Sequence, residues 1–290
     1  MALVMFIIGM LYYQGRRVPE GRAQYVALGS SFAAGFGLGA KDPSSPAICA
    51  RSVNGYPKQL AHMLGLGIVD VSCSGATTAH VLVGGQMFLP PQIDAVRPET
   101  ELVTLTIGGN DLHYVGDLLA LSARRSGTIY GKWLRHFGNV PVPPSAADYG
   151  KVEKALLQTI LIVRHRAPRA KIVLVSYPPL LPREGSCPKL GLIPQEVATM
   201  RIVGDRLADL TRSAASIGGA VLVDMQRLGL AHDACASRPW VNGARDVVGA
   251  QFHPTIAGSL AVARAVSAAL NAAPPRPRAG PPSTPDNEPS

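Results

Sequence analysis

Ser31 stands directly after a short apolar run, in a setting where a serine hydroxyl can act as a nucleophile. Residues 25–29 have the composition of a buried strand, and Ser30 and Ser31 follow before a segment of small residues. Where a strand ends and a helix begins, an unpaired backbone N–H and the helix dipole favour a developing negative charge. A serine in this position is usually a simple helix cap, so we test Ser31 as a nucleophile against the rest of the chain.

Acyl transfer also needs donors that face the tetrahedral oxyanion and a base that takes the serine proton. The candidate donors are the backbone N–H groups of Ser31 and Gly75 and the side-chain amide of Asn110. An asparagine in the sequence Gly-Gly-Asn-Asp is equally typical of a turn. The donors therefore strengthen the serine hypothesis only as a set.

His253 is the candidate base among the seven histidines. Pro254 fixes the backbone just after the imidazole, near the start of the last predicted helix. His80 and His113 lie near the proposed site in the sequence pattern and stay open as alternatives.

Apolar β-branched runs alternate with helical stretches along the chain, which predicts an α/β fold with a parallel sheet and helices on both faces. In such sheets the site lies at the carboxyl ends of the strands, and Ser31, Gly75 and Asn110 each follow a predicted strand. The predicted strands are 25–29, 68–72, 101–107, 171–176 and 220–224, and the main predicted helices are 57–66, 147–165, 194–215 and 255–270. The less regular stretches 36–54, 126–145 and 179–193 are predicted to be loops around the cleft.

Four short blocks give the chain a resemblance to the SGNH hydrolases, also called GDSL lipases and esterases. The blocks are residues 29–35, 74–78, 108–111 and the pair 253–254 leading to Gly258. Each block is weak by itself, but all four occur in the family's order across nearly the whole domain. The resemblance implies a flavodoxin-like three-layer α/β/α fold with a five-stranded sheet. We expect no cofactor, and no metal because no cluster of His, Asp and Cys residues has the spacing of metal ligands. The resemblance also implies that Ser31, Gly75, Asn110 and His253 are the catalytic residues.

The sequence departs from the family pattern at two positions. The family usually has aspartate just before the nucleophile, where this chain has Ser30, and three residues before the histidine, where it has Ala250. The second aspartate normally holds the imidazole tautomer and stabilises the imidazolium. Three groups remain as substitutes: the backbone carbonyl of Ala250, Asp246 and Asp224. The carbonyl ranks first because it needs no unusual loop geometry.

The cysteine layout resembles that of secreted actinobacterial members of the family. Four cysteines allow three pairings, and none lies in a CxxC motif. The resemblance implies the pairs Cys49–Cys73 and Cys187–Cys235.

The two termini differ in composition from the central part of the chain. Residues 1–23 begin with an apolar run followed by two arginines, which favours a secretion signal or surface anchor over a buried helix, although no basic residue precedes the run. Residues 272–290 are rich in proline and are predicted to be disordered. The folded domain is then 24–271, and we expect an exported monomer, secreted or at the cell surface.

The formal charge of +9 is compatible with anionic lipid headgroups or with a simple solvated basic surface. Scattered arginines and few aromatic residues argue against nucleic-acid binding.

The expected function is hydrolysis of carboxylic esters, of lipids or acylated small molecules, through an acyl-Ser31 intermediate. One alternative is an acyltransferase that uses the same intermediate. Another is a degenerate hydrolase that only binds lipid or glycan, motivated by the loss of both aspartates.

Overall fold

Five parallel strands form a single sheet in the order β2-β1-β3-β4-β5. The computed structural model describes residues 2–15 and 24–272, so the proline-rich tail and most of the segment that joins the apolar run to the domain lie outside it. The strands are β1 Tyr25–Gly29, β2 Ile68–Asp70, β3 Leu102–Thr106, β4 Lys171–Val175 and β5 Val221–Val223. This strand order confirms the predicted α/β fold with a five-stranded parallel sheet.

Helices cover both faces of the sheet because the central strands are apolar on both sides. Along β1, Val26 and Leu28 belong to one buried cluster, and Tyr25 and Ala27 belong to the other. The α-helices are α1 Ala2–Gly15, α2 Ser31–Ala34, α3 Tyr56–Leu64, α4 Thr78–Leu82, α5 Tyr114–Arg124, α6 Ile129–Phe137, α7 Ala146–Arg166, α8 Pro194–Gly218, α9 Met225–Leu228 and α10 Ile256–Ala272. Helices α7 and α8 pack on the first cluster, and α3 and α10 on the second.

The segment between β3 and α7 differs from the sequence-based expectation. Residues 126–145 were predicted to be a loop, but α6 lies within them. The apolar side chains of α6 face outward. A helix is usually recognised in a sequence by an apolar face that packs on the core, and α6 does not use its apolar face in this way.

Both expected disulfides are present. Cys49–Cys73 joins the loop after α2 to the loop after β2, and Cys187–Cys235 joins the loop after β4 to the loop after α9. They close 24 and 48 residues of sequence, and by loop entropy each stabilises the fold by roughly 3–4 kcal/mol.

Helix α1 carries large apolar side chains that are mostly exposed. It lies against the segment that contains Phe88, whose ring meets that of Tyr12 edge-on with centroids 6.0 Å apart. No helix in the described part of the chain has both the length and the apolar character needed to cross a membrane.

Candidate active site

A constrained turn places Ser31 at the carboxyl edge of the sheet. Gly29 ends β1 with φ of 145°, and a Cβ there would lie 2.5 Å from the carbonyl oxygen of Thr106 on β3. The side chain of Gln92 accepts the N–H of Gly29 at 2.8 Å and donates to its carbonyl at 3.0 Å. Ser31 is then the first residue of α2. Only glycine fits where β1 approaches β3 this closely. Because Ser31 follows two residues later, this close contact between the two strands also fixes where Ser31 lies.

Ser31 and His253 meet, although 222 residues separate them. The distance from Ser31 Oγ to His253 Nε2 is 2.9 Å, and the two residues are 7% and 8% exposed. The other ring nitrogen, Nδ1, lies 2.8 Å from the carbonyl oxygen of Gln251. Because a carbonyl only accepts, Nδ1 carries the proton, and Nε2 is free to accept the serine hydroxyl. This is the arrangement that a serine nucleophile and its base require.

The expectation that the carbonyl of Ala250 orients the imidazole is wrong. The orienting carbonyl belongs to Gln251, whereas the carbonyl of Ala250 accepts the backbone N–H of His253 at 3.2 Å and the side-chain amide of Asn242 at 3.2 Å. The reason is the turn at Phe252, which is fully buried with φ of 54°. This left-handed residue turns the chain so that the carbonyl of Gln251 meets the ring.

Neither candidate aspartate supports the imidazole in the described structure. Asp246 accepts the backbone N–H of Gly243 at 2.7 Å, which closes a turn in its own loop. Asp224 caps α9 by accepting the N–H of Arg227 at 3.1 Å. Asp224 also lies 3.4 Å from the hydroxyl of Ser176 and 3.7 Å from the guanidinium of Arg212. Both carboxylates thus have other partners, and the candidate base is held by a neutral carbonyl.

Burial lowers the pKa of His253 below its ordinary value, and the hydrogen bond to Gln251 opposes this only in part. The rings of Phe32 and Phe36 flank the imidazole, with centroids 5.4 Å and 5.1 Å away. A lowered pKa keeps the imidazole neutral at neutral pH, which is the form that accepts a proton from serine.

The three candidate oxyanion donors follow the first three strands of the chain. Asn110 donates one amide N–H to the carbonyl of Ala76 at 2.8 Å, which leaves its second N–H for a ligand. Gly75 precedes Ala76 and has φ of 81°. The amide of Asn110 is thus bound to the same short segment that carries the N–H of Gly75.

Asp111 joins the two segments that carry these donors. Its carboxylate accepts the backbone N–H of Thr78 at 3.0 and 3.1 Å and the hydroxyl of Thr78 at 2.6 Å. Hydrogen bonds to an ionised acceptor are among the stronger ones in proteins. The loops after β2 and β3 are therefore fixed to each other by a charged group.

Ser30 takes the place of the family's first aspartate with a neutral hydroxyl network. Its Oγ lies 3.1 Å from the hydroxyl of Tyr177, which also accepts the N–H of Gly109 at 3.3 Å. Burial raises the pKa of Tyr177 to about 12, so the phenol stays neutral. The network joins the nucleophile turn to the loop after β3 without a charge.

His80 has a different role from the one left open for it. Its Nδ1 accepts the backbone N–H of Thr77 at 3.0 Å and caps α4.

Gln92, Tyr177, Asn242 and Gln251 were not predicted, because they act through backbone groups or neutral hydroxyls and belong to no chemical motif. In residues 2–15 and 24–272, no group of three or more His, Cys, Asp or Glu side chains is arranged to hold a metal ion.

Comparisons with known proteins identify relatives that span most of the chain. Residues 27–261 match the GDSL-like Lipase/Acylhydrolase family. Lipase 2 of Streptomyces coelicolor is 35% identical over 218 residues, which are 73% of this chain and 72% of that protein. The crystal structure of an extracellular lipase from Streptomyces rimosus has a TM-score of 0.67 and 27% identity, over 86% of this chain and all of that one. A phospholipase A1 from Streptomyces albidoflavus has a TM-score of 0.65 and 25% identity, over 85% and 97% of the two chains.

Proposed function

Because this chain belongs to the GDSL-like Lipase/Acylhydrolase family and is a carboxylic ester hydrolase, we propose that it cleaves lipid esters through an acyl-Ser31 intermediate. The observation that carries the mechanism is the 2.9 Å contact between Ser31 Oγ and His253 Nε2. It unites a nucleophile, a neutral base and a defined tautomer in one buried pair.

In the first half of the reaction, Ser31 Oγ attacks the ester carbonyl while its proton moves to Nε2 of His253. The negative charge on the former carbonyl oxygen is accepted by the N–H groups of Ser31 and Gly75 and the free N–H of Asn110. The tetrahedral species collapses, the C–O bond to the alcohol breaks, and the imidazolium gives its proton to the departing alkoxide. The acyl group stays on Ser31.

In the second half, water attacks the acyl carbon and gives its proton to Nε2. The same donors accept the second oxyanion, Ser31 is released with its proton restored, and the carboxylic acid leaves. The carbonyl of Gln251 holds Nδ1–H throughout and offers its dipole to each transient imidazolium.

The proposed substrate class rests on the relatives. They include lipases, and a structural neighbour is a phospholipase A1, so the proposed ester is that of an acyl chain on a glycerol or similar alcohol. Export is also part of the proposal. It is supported by two disulfides, which persist in oxidising compartments, and by the extracellular origin of the Streptomyces rimosus lipase.

The test combines turnover with covalent labelling. We expect hydrolysis of p-nitrophenyl esters of graded chain length and of phosphatidylcholine, and one phosphonate adduct at Ser31 by peptide mass after a fluorophosphonate probe. Ser31→Ala and His253→Ala should each lower kcat by roughly 10⁴-fold or more, and Ser31→Ala should also abolish the adduct. Ser216→Ala, on the exposed side of α8, is the matched control and should behave as the parent. Full turnover by Ser31→Ala would refute the proposed nucleophile.

A further inference from the structure

Helix α6 presents its apolar face away from the protein. Ile129, Tyr130, Trp133 and Phe137 are between 52% and 89% exposed. At 100° per residue these positions fall on one side of the helix, and the rings of Tyr130 and Trp133 stack with centroids 6.2 Å apart. A helix of a soluble protein normally packs such a face on the core, whereas the described residues leave more than half of each of these side chains exposed.

The opposite face of α6 holds it in this orientation. Gly131 packs so tightly that a Cβ there would collide with the carbonyl oxygen of Ala123. The guanidinium of Arg135 donates to the carbonyls of Arg124 at 2.7 Å and Ser126 at 3.3 Å. A glycine contact and hydrogen bonds to the end of α5 therefore fix which side of α6 faces outward.

The segment around α6 is positively charged. Residues 118–147 contain four Lys or Arg and no Asp or Glu. Arg125 is paired with Glu196 at 2.7 Å, but Lys132 forms no salt bridge with any described residue. Lys132 is one position from Trp133 in sequence and lies beside the apolar face. Val140 and Val142, which follow the helix in the sequence, are also highly exposed.

Helix α6 lies at the same end of the molecule as Ser31. Because α8 leads into β5 and all strands are parallel, the first turn of α8 lies at the carboxyl end of the sheet. Arg125, at the end of α5, pairs with Glu196 in that first turn, whereas Tyr114, at the start of α5, packs on Gly204 two turns further along α8. Helix α5 therefore runs towards this end and delivers α6 there.

We propose that α6 is an interfacial helix that docks the protein on a lipid surface bearing anionic headgroups. Its aromatic and aliphatic side chains match the apolar side of a membrane interface, and the basic residues beside them match the headgroup charge. A second copy of the chain fits less well, because face-to-face packing would bring two segments of the same charge together. Docking goes beyond ester hydrolysis and uses none of the residues that carry it.

The experiment measures vesicle binding by the full chain in its Ser31→Ala form, so that the lipid stays intact. Vesicles of phosphatidylcholine with about 30% phosphatidylglycerol should bind the protein, and pure phosphatidylcholine should bind it more weakly. Replacing two side chains of the outward face, Trp133→Gln with Phe137→Gln, should weaken binding by roughly tenfold or more. Lys132→Glu should weaken binding to the anionic vesicles only.

The matched control is Leu161→Gln with Ile217→Gln, two comparably exposed apolar residues on α7 and α8, and it should bind like the parent. Equal binding by the Trp133/Phe137 variant and the parent would overturn the proposal. A dimer that this variant abolishes, with no vesicle binding by the parent, would also overturn it and assign the face to a second copy. With Ser31 restored, the Trp133/Phe137 variant should keep turnover of a soluble ester. Vesicle binding then tests docking, and turnover of the soluble ester tests the proposed catalysis.

Discussion

The two halves of the active site are stabilised by different kinds of group. On the oxyanion side, the carboxylate of Asp111 accepts both the N–H and the hydroxyl of Thr78 and fixes the loops that carry Gly75 and Asn110. On the base side, Nδ1 of His253 is hydrogen-bonded to the neutral carbonyl of Gln251, and no carboxylate among the described residues is bonded to the ring. In the proposed mechanism, a charged group thus positions the oxyanion donors, whereas the base works beside a carbonyl dipole.

This difference affects the base more than the donors. A neighbouring carboxylate stabilises the imidazolium form more than a carbonyl dipole does, because a full charge interacts more strongly and over a longer range. The base side compensates through rigidity. Asn242 donates its backbone N–H to the carbonyl of His253 at 2.9 Å and accepts that of Phe252 at 3.2 Å. The ring is therefore well positioned, but its protonated form is less stabilised than in a triad.

Among substitutions that change neither the nucleophile, the base nor a proposed oxyanion donor, removing the charge on the oxyanion side should have the largest effect. Asp111→Asn loses the ionised acceptor for Thr78 and replaces one acceptor oxygen with an NH₂ group, so the link between the two donor loops is weakened. Among the hydrogen bonds that the described residues form between these loops, only that of Asn110 with Ala76 is left intact. We expect kcat to fall roughly 10- to 100-fold on a p-nitrophenyl ester, with KM little changed. Asp94→Asn, at a carboxylate paired with Arg166, is the control and should keep kcat. A kcat for Asp111→Asn within twofold of the parent would show that the carboxylate does not position the donors.

The oxyanion side was more predictable from sequence than the base side. Gly75, Asn110 and Ser31 lie in short blocks at the ends of strands, and strand order brings such blocks together in any parallel sheet. Gln251 could not be chosen over Ala250, because the choice depends on the φ of Phe252, a residue that rarely takes a left-handed conformation.

The orientation of α6 was missed for a related reason. Its apolar spacing is helical, but the short stretch lies among glycines and prolines, and sequence does not say which face meets the protein. That is decided by the contact of Gly131 with the end of α5.

The pH dependence reports directly on the base side. Since burial lowers the pKa of His253, the neutral form persists below pH 6.5, and protonation then removes the acceptor for the serine proton. We expect the acidic limb of kcat/KM to lie below about pH 6.5, the ordinary value for histidine. The measurement is kcat/KM of a soluble ester between about pH 4.5 and 8, with folding monitored by circular dichroism. A limb clearly above 6.5 would indicate an unrecognised negative charge beside the ring.

The smallest effects are expected at Asp246 and Asp224, the two aspartates that the sequence offered as supports for the imidazole. In a true triad, replacing the acid by its amide costs roughly 10⁴ in kcat, because the ring is held in the wrong tautomer. Here Asp246 closes a turn at Gly243 and Asp224 caps α9, so Asp246→Asn and Asp224→Asn should leave kcat within about twofold of the parent.

Thermal unfolding of both variants separates a structural role from a chemical one. Loss of a turn or cap hydrogen bond should lower stability by about 1 kcal/mol while kcat is kept. A fall in kcat approaching that of His253→Ala in a stably folded Asp→Asn variant would identify a triad acid after all. The base side would then rely on a charge as the oxyanion side does, and the contrast between the two halves would disappear.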